Sequence, residues 1–432
     1  MNGNKNYVIP IIVMFLLFGM ISFVTNLASP MGDILKNQFQ IPNWQGTLGV
    51  FANFIAYAMM GYPAGTMLHK LGYKKTSLVA VSVGFVGVGI QTLSGVFGSF
   101  AVYLIGAFIA GFSMCLLNTV VNPMLNKLGG GGNKGNQLIQ YGGTFNSLCG
   151  TAVIILTGLL IPQGIQNATI SNVFPLMYTA LAVFAVAFLV ISLTSIPENE
   201  PVDAQLVQSD VQQSEKGPMA FRHFTLGAIA IFIYVGVEVG IPNVLNKWLQ
   251  NPDLALLGNA VNAEAVAASV AATYWFFMLI GRLVGGIVGG KMSPRTMISA
   301  VSVIAILLVV VAMFVPSLIM VNFPAFNGAK GFGMVEIPLS AALLVCTGLC
   351  TSVMWGGIFN LAVEGLGKYT EKASGIFMAL VCGGGILPLL QNAIVDVMGP
   401  ANGYMPSYWV VVAGFAYILF YALVGSRIVN KN

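Results

Sequence analysis

Gly61-Tyr62-Pro63-Ala64-Gly65, leading through Leu71-Gly72-Tyr73-Lys74-Lys75 to Thr76, has a counterpart 220 positions further on. There Gly281-Arg282-Leu283-Val284-Gly285 leads through Lys291 and Arg295 to Thr296. Each is a glycine-spaced helix end followed by a short basic turn. Glycines at i, i+4 let membrane helices approach closely, and a basic turn marks the cytoplasmic face. A unit repeated at matching positions of two halves points to an internally duplicated membrane chain.

Composition agrees. Of 432 residues, 57% are hydrophobic and only 7% are charged, against about 25% charged in an ordinary soluble domain. The mean hydropathy is +0.86. A secreted enzyme, a nucleic-acid binder and a disordered chain are excluded, and the net charge of +5 implies no nucleic-acid partner. At about 20 residues per crossing, twelve apolar runs stand out. Six lie at 7–38, 46–67, 76–97, 99–123, 138–161 and 172–196, and six at 221–245, 263–288, 296–316, 338–361, 371–397 and 405–427. The expectation is an all-α polytopic membrane protein with twelve transmembrane helices in two six-helix bundles, residues 1–196 and 221–432, joined by a polar linker at 197–220. The run Tyr7–Leu27 is too long for a signal sequence and reads as a retained first span.

Placing the N-terminus inside puts fourteen basic residues on the cytoplasmic side and only Lys36, Lys247 and Lys330 outside, with Arg282 within a span. Both termini then lie in the cytoplasm. The five cysteines fall in apolar runs and read as small packing residues. Cys346 and Cys350 share a helix face, but no His, Asp or third Cys accompanies them, so neither a metal nor another cofactor is implied.

The stretch Gly65-x-x-x-His69-Lys70-Leu71-Gly72-Tyr73-Lys74-Lys75 resembles the inter-span signature of the major facilitator superfamily, with His69 where that family usually has Asp. Further stretches resemble its fucose and glucose/galactose:proton symporter branch. They are Asn122-Pro123 with Thr144-Phe145-Asn146-Ser147, Tyr234-Val235-Gly236-Val237-Glu238, and Ile358-Phe359 with Gly365-Leu366-Gly367-Lys368. The resemblance implies two bundles rocking around a central site near the bilayer midplane. It also implies a secondary transporter for a neutral monosaccharide (a hexose, 6-deoxyhexose or amino sugar), coupled to protons, acting as a monomer in a bacterial inner membrane.

A charge inside a span is costly and marks a candidate site. Glu238, within Ile231–Ile241, is the clear case. It suits a proton carrier or an acceptor for a sugar hydroxyl. Asp33 is the second proton-coupling candidate: Asp33-Ile34-Leu35 resembles a turn in the fucose branch that carries a proton-linked Asp. Aligning on Thr25-Asn26-Leu27 instead shifts the register by one turn, about 5.4 Å, and puts Asn26 and Ser29 at the site in place of Asp33. In the fourth span the family's coupling Glu is replaced by Asn118, before Thr119-Val120-Val121-Asn122-Pro123. An amide binds a hydroxyl but exchanges no proton, which leaves open a sugar uniporter or a sodium-coupled carrier. A small-molecule exporter is a further alternative.

Sugars are held by amides and carboxylates that match hydroxyl pairs, with an aromatic face against the ring. The candidates for substrate binding are Asn118, Asn122, Asn146, Glu238, Trp355, Asn26, Asn360 and Tyr234. Any one amide could equally serve an interhelical hydrogen bond, worth about 0.6–2 kcal/mol. Arg282 reads as a helix cap or an interhelical partner. No nucleophile–base pair suggests an enzyme.

Overall fold

Lipid offers no partner for backbone N–H and C=O groups, so apolar runs of this length close their hydrogen bonds internally as helices. The computed structural model describes residues 7–39, 48–160, 170–198, 217–251, 253–254, 256–257, 263–326 and 332–428. Within them α1 (Val8–Phe39), α2 (Leu48–Phe97), α3 (Phe100–Leu128), α4 (Gly132–Leu160) and α5 (Ile170–Leu193) come first. Next are α6 (Arg222–Gln250), α7 (Ala263–Gly289) and α8 (Pro294–Phe314). A hairpin of β1 (Met320–Phe326) and β2 (Phe332–Pro338) precedes α9 (Leu339–Thr351) and α10 (Met354–Val363). The chain ends with α11 (Thr370–Ala379), α12 (Gly383–Met398), α13 (Pro400–Ser407) and α14 (Trp409–Phe420). Ten stretches of the described residues are long and apolar enough to cross a membrane. The protein is a helical, multi-pass membrane protein.

One of those stretches, Phe51–Phe97, has 47 residues. Straight, it would measure about 70 Å, more than twice the hydrocarbon thickness. It is not straight: Gly72 has φ 77° and ψ 179°, which breaks α2 into two helices. Only glycine takes that conformation at little cost. The break is clasped by Glu198, whose carboxylate accepts the backbone N–H of Tyr73 at 2.7 Å and of Lys74 at 2.8 Å. Lys74 Nζ donates to the Ser192 carbonyl beside it. Glu198 thus acts as a remote helix cap for the segment after Gly72. Glu198→Ala is expected to lower stability by about 1 kcal/mol, read as a lower melting temperature in detergent. An unchanged melting temperature would show that Glu198 does not hold the break in α2.

Within the described residues, one β-element stands among the helices. Residues between the ninth and tenth apolar runs form an antiparallel hairpin, with Asn322 opposite Glu336 and Phe326 opposite Phe332. Along β2, Val335 and Ile337 are buried while Phe332, Met334 and Glu336 point outward, the period-two alternation of a one-sided strand. The hairpin rests on α7 through Phe332 against Phe276 and Phe323 against Phe277, with ring centroids 5.3 and 5.7 Å apart.

Contacts group the chain into two compact units. The first comprises Met1–Gly131, Tyr141–Thr225 and Val363–Leu380. The second comprises Gly132–Gln140, Leu226–Ala362 and Val381–Asn432. Within the first unit Gly61 and Gly65 form a seam between α2 and α11. A Cβ on Gly61 would overlap the backbone of Ala379, and one on Gly375 would overlap the backbone of Gly61 and Gly65. Close beside this seam, His69 Nδ1 lies 3.8 Å from Glu371 Oε2. Ser374 Oγ donates to the Thr119 carbonyl at 3.0 Å and ties α11 to α3. In the second unit Gly281 and Gly285 do the corresponding work: their missing side chains leave room for Ser352 and Val353.

Candidate functional site

The carboxylate singled out in the sequence sits on α6 with 8% of its surface exposed. Tyr234 lies one turn earlier on the same helix face, where i, i+4 side chains meet. Its hydroxyl donates to Glu238 Oε1 at 2.8 Å. Across from them on α7, Arg282 Nη2 lies 3.5 Å from the same oxygen, and both side chains are largely buried. The Tyr234 ring centroid is 6.3 Å from that of Trp355, on α10, with the planes inclined at 56°. Tyr274 extends the cluster along α7: its hydroxyl shares a hydrogen bond of 2.8 Å with Thr351 Oγ1, and its ring meets Trp275 edge-on.

Small residues bring these groups together. Gly348 on α9 lies against the backbone carbonyl of Tyr274, and Gly281 against Ser352. On the other side of α6, Gly236 and Gly240 receive Leu387 and Gln391 of α12. Tyr234 and Glu238 therefore face α7 and α10 while the glycine side packs on α12. The result is a buried carboxylate and a guanidinium, of no net formal charge together, next to a tyrosine hydroxyl and an indole. Such a set can accept from and donate to hydroxyls while offering an aromatic face.

The amides predicted from the sequence fall mainly in the first unit, and each described one is already engaged. Asn118 is buried and donates to the Tyr57 hydroxyl at 2.7 Å and to the Met114 carbonyl at 3.2 Å. Asn122, fully buried, donates to the Asn118 carbonyl at 2.9 Å. Asn146, half-buried, donates to the Phe18 carbonyl at 2.7 Å. Asn26 is exposed and bonds back to Ser22. Asp33 lies on α1, but its side chain is outside the described residues, as is that of Ser29. In the second unit Asn360 is buried and donates to the Gly132 carbonyl at 3.1 Å. Of the eight substrate-binding candidates, the structure brings together Glu238, Tyr234 and Trp355.

Nothing in the sequence pointed to Tyr57, and the partner of Arg282 was left open there. Tyr57 carried no signal, being one aromatic among many in its span. Arg282 was visible as a charge within a span, but it is 44 positions from Glu238 in the chain, so their pairing is a tertiary fact. Among the described residues no group of His, Cys, Asp and Glu is placed to hold a metal.

Residues 11–388 match the family model of the Major Facilitator Superfamily. A glucose/galactose transporter of Brucella abortus is 29% identical over 433 residues, covering 99% of this chain and 96% of that protein. The L-fucose-proton symporter of Escherichia coli is 23% identical, covering 92% of this chain and 89% of that one. The crystal structure of a transporter of the superfamily, FucP, in the outward conformation, superposes with a TM-score of 0.79 at 20% identity, over 98% of this chain and all of that one. A helical membrane chain with a duplicated glycine-and-basic motif, matched along most of its length by transporters and by no enzyme among these relatives, has one assignment: it belongs to the Major Facilitator Superfamily, among relatives of the glucose/galactose and fucose branch.

Proposed function

We propose that the protein imports a neutral monosaccharide (a hexose, 6-deoxyhexose or amino sugar) by alternating access, coupled to protons. The observation that carries this reading is the buried Tyr234–Glu238–Arg282 group beside Trp355. It combines the acceptor, the donors and the aromatic face that a sugar ring requires, in a transporter fold. Relatives named for glucose/galactose transport and for fucose–proton symport support the substrate class and the coupling. Glu238 is the proposed proton carrier and hydroxyl acceptor, with Asp33 as the second acid to test. Asn118, Asn122 and Asn146 are proposed hydroxyl ligands whose present hydrogen bonds would exchange for substrate.

The proposal includes twelve spans, counting α2 as two across Gly72 and including the more polar α4. The halves 1–196 and 221–432 are then the bundles that move, joined by the linker at 197–220. The setting is a bacterial inner membrane, with both termini in the cytoplasm and the monomer as the working unit.

A second reading, a uniporter, is favoured by Asn118. Where the family's coupling acid would stand, its amide is spent on Tyr57. Uptake of radiolabelled fucose, glucose, galactose and N-acetylglucosamine into expressing cells separates the readings. Accumulation that collapses on adding a protonophore is the expected result. Equilibration untouched by the protonophore would establish the uniporter, and uptake of no sugar by correctly inserted protein would end the monosaccharide reading.

A further inference from the structure

We infer that Arg282 determines specificity: while Glu238 is ionised, with no transported proton on it, Arg282 is held by a built-in counter-ion, and in that state the site takes uncharged sugars and refuses sugar acids. The inference rests on the proposal that this cluster is the sugar site.

A guanidinium stays charged in any protein environment and needs an anion when water is removed from it. Here the anion belongs to the chain. Among the described residues only two acids are buried, Glu238 and Glu371. Glu371 sits beside His69 in the first unit, so Glu238 is the buried acid of the second. Glu238 Oε1 serves both Arg282 and the Tyr234 hydroxyl. Tyr234 and Glu238 share a face of α6, so the carboxylate is fixed in front of α7.

A hexose presents hydroxyls, which this balanced pair can meet without a change of charge. The corresponding hexuronic acid differs only at its exocyclic carbon, where a carboxylate replaces the hydroxymethyl group. It would bring a second negative charge up to Glu238. Juxtaposing like charges in a desolvated site costs several kcal/mol, which is a discrimination of about a hundredfold or more. Refusal of this kind is specificity by repulsion. The same geometry predicts the reverse preference once the balance is broken. Without the charge of Glu238, Arg282 loses its buried anion, and a guanidinium binds a carboxylate through two parallel N–H groups. A pair that merely staples α6 to α7 would change stability when altered but would create no affinity for an anion.

The test is equilibrium binding to the purified full-length protein in detergent, with no proton gradient. It compares galactose with galacturonate and glucose with glucuronate. The wild type is expected to bind the neutral sugar about a hundredfold more tightly than its acid. Glu238→Gln keeps an oxygen for Tyr234 and is expected to gain at least about tenfold for the acid, a gain lost again in Glu238→Gln/Arg282→Gln. If Glu238→Gln does not fold, Arg282→Gln carries the same test with the sign inverted. Its unbalanced carboxylate should favour glucosamine, a cation at neutral pH, by about tenfold over N-acetylglucosamine relative to wild type. Equal wild-type affinity for a neutral sugar and its acid overturns the inference and leaves the monosaccharide reading standing. So does a folded variant with an unchanged preference. Wild type that binds no neutral sugar overturns the monosaccharide reading, and the inference falls with it.

Discussion

Glu238→Ala is expected to reduce sugar uptake to the level of cells lacking the protein and to destabilise it by about 3–5 kcal/mol, the range for removing one partner of a buried ion pair. Two costs combine. Arg282 is left as a buried cation without its carboxylate, and the Tyr234 hydroxyl loses its acceptor. The two effects can be separated. In Glu238→Ala/Arg282→Ala both charges are gone, so most of the stability should return, whereas transport should not. A double-mutant cycle on melting temperature measures the pair directly. If the double variant melts no higher than Glu238→Ala, the pair is not what holds these helices. If either variant transports at the wild-type rate, Glu238 is outside the transport path.

Gly375→Val is the other large effect expected. Even a single Cβ at 375 would overlap the backbone of Gly61 and Gly65 on α2. The colliding atoms are main chain, so no rotamer change relieves the clash and α11 must shift as a body. Overpacking of this kind costs typically about 1–3 kcal/mol, and here it also pulls Glu371 away from His69 and Ser374 away from Thr119. The expected result is a lower melting temperature together with impaired uptake. Ser374→Ala is the comparison: it loses one hydrogen bond on the same helix, worth about 0.5–1.5 kcal/mol. A Gly375→Val protein as stable and active as wild type would show that α2 and α11 do not need their backbones in contact.

The legible part of this protein was what lipid enforces. Apolar length, the bias of lysines and arginines and the spacing of Gly61 with Gly65 each follow from the solvent, and each could be read without knowing which helix meets which. Glu238 was legible for the same reason, as one acid in an apolar run. Its partner was not, because the approach of α7 depends on Gly348 and Gly281 lying against particular neighbours. Asn118 shows the limit from the other side. Its residue type announced a polar contact in the fourth span, but whether that contact is a substrate or Tyr57 depends on an aromatic 61 positions away. The hairpin was missed although Val335-Glu336-Ile337 alternates as a strand should. Short strands carry few residues of signal, and this one lies between long helical runs that dominate any window laid across it.

The seam between α2 and α11 has a consequence beyond fit. A contact made by Gly61, Gly65, Gly375 and Ala379 contains no side chain with a rotamer to choose. Ordinary helix interfaces freeze long side chains on closing, at up to about 2 kcal/mol of conformational entropy for each of the longest. This one freezes none, and parting it releases none. Its strength is therefore set by dispersion between main chains, by the polar groups at its edge and by the lipid it displaces, with almost no side-chain entropy in the balance. Neither joining nor parting such a surface carries a cost in side-chain freedom.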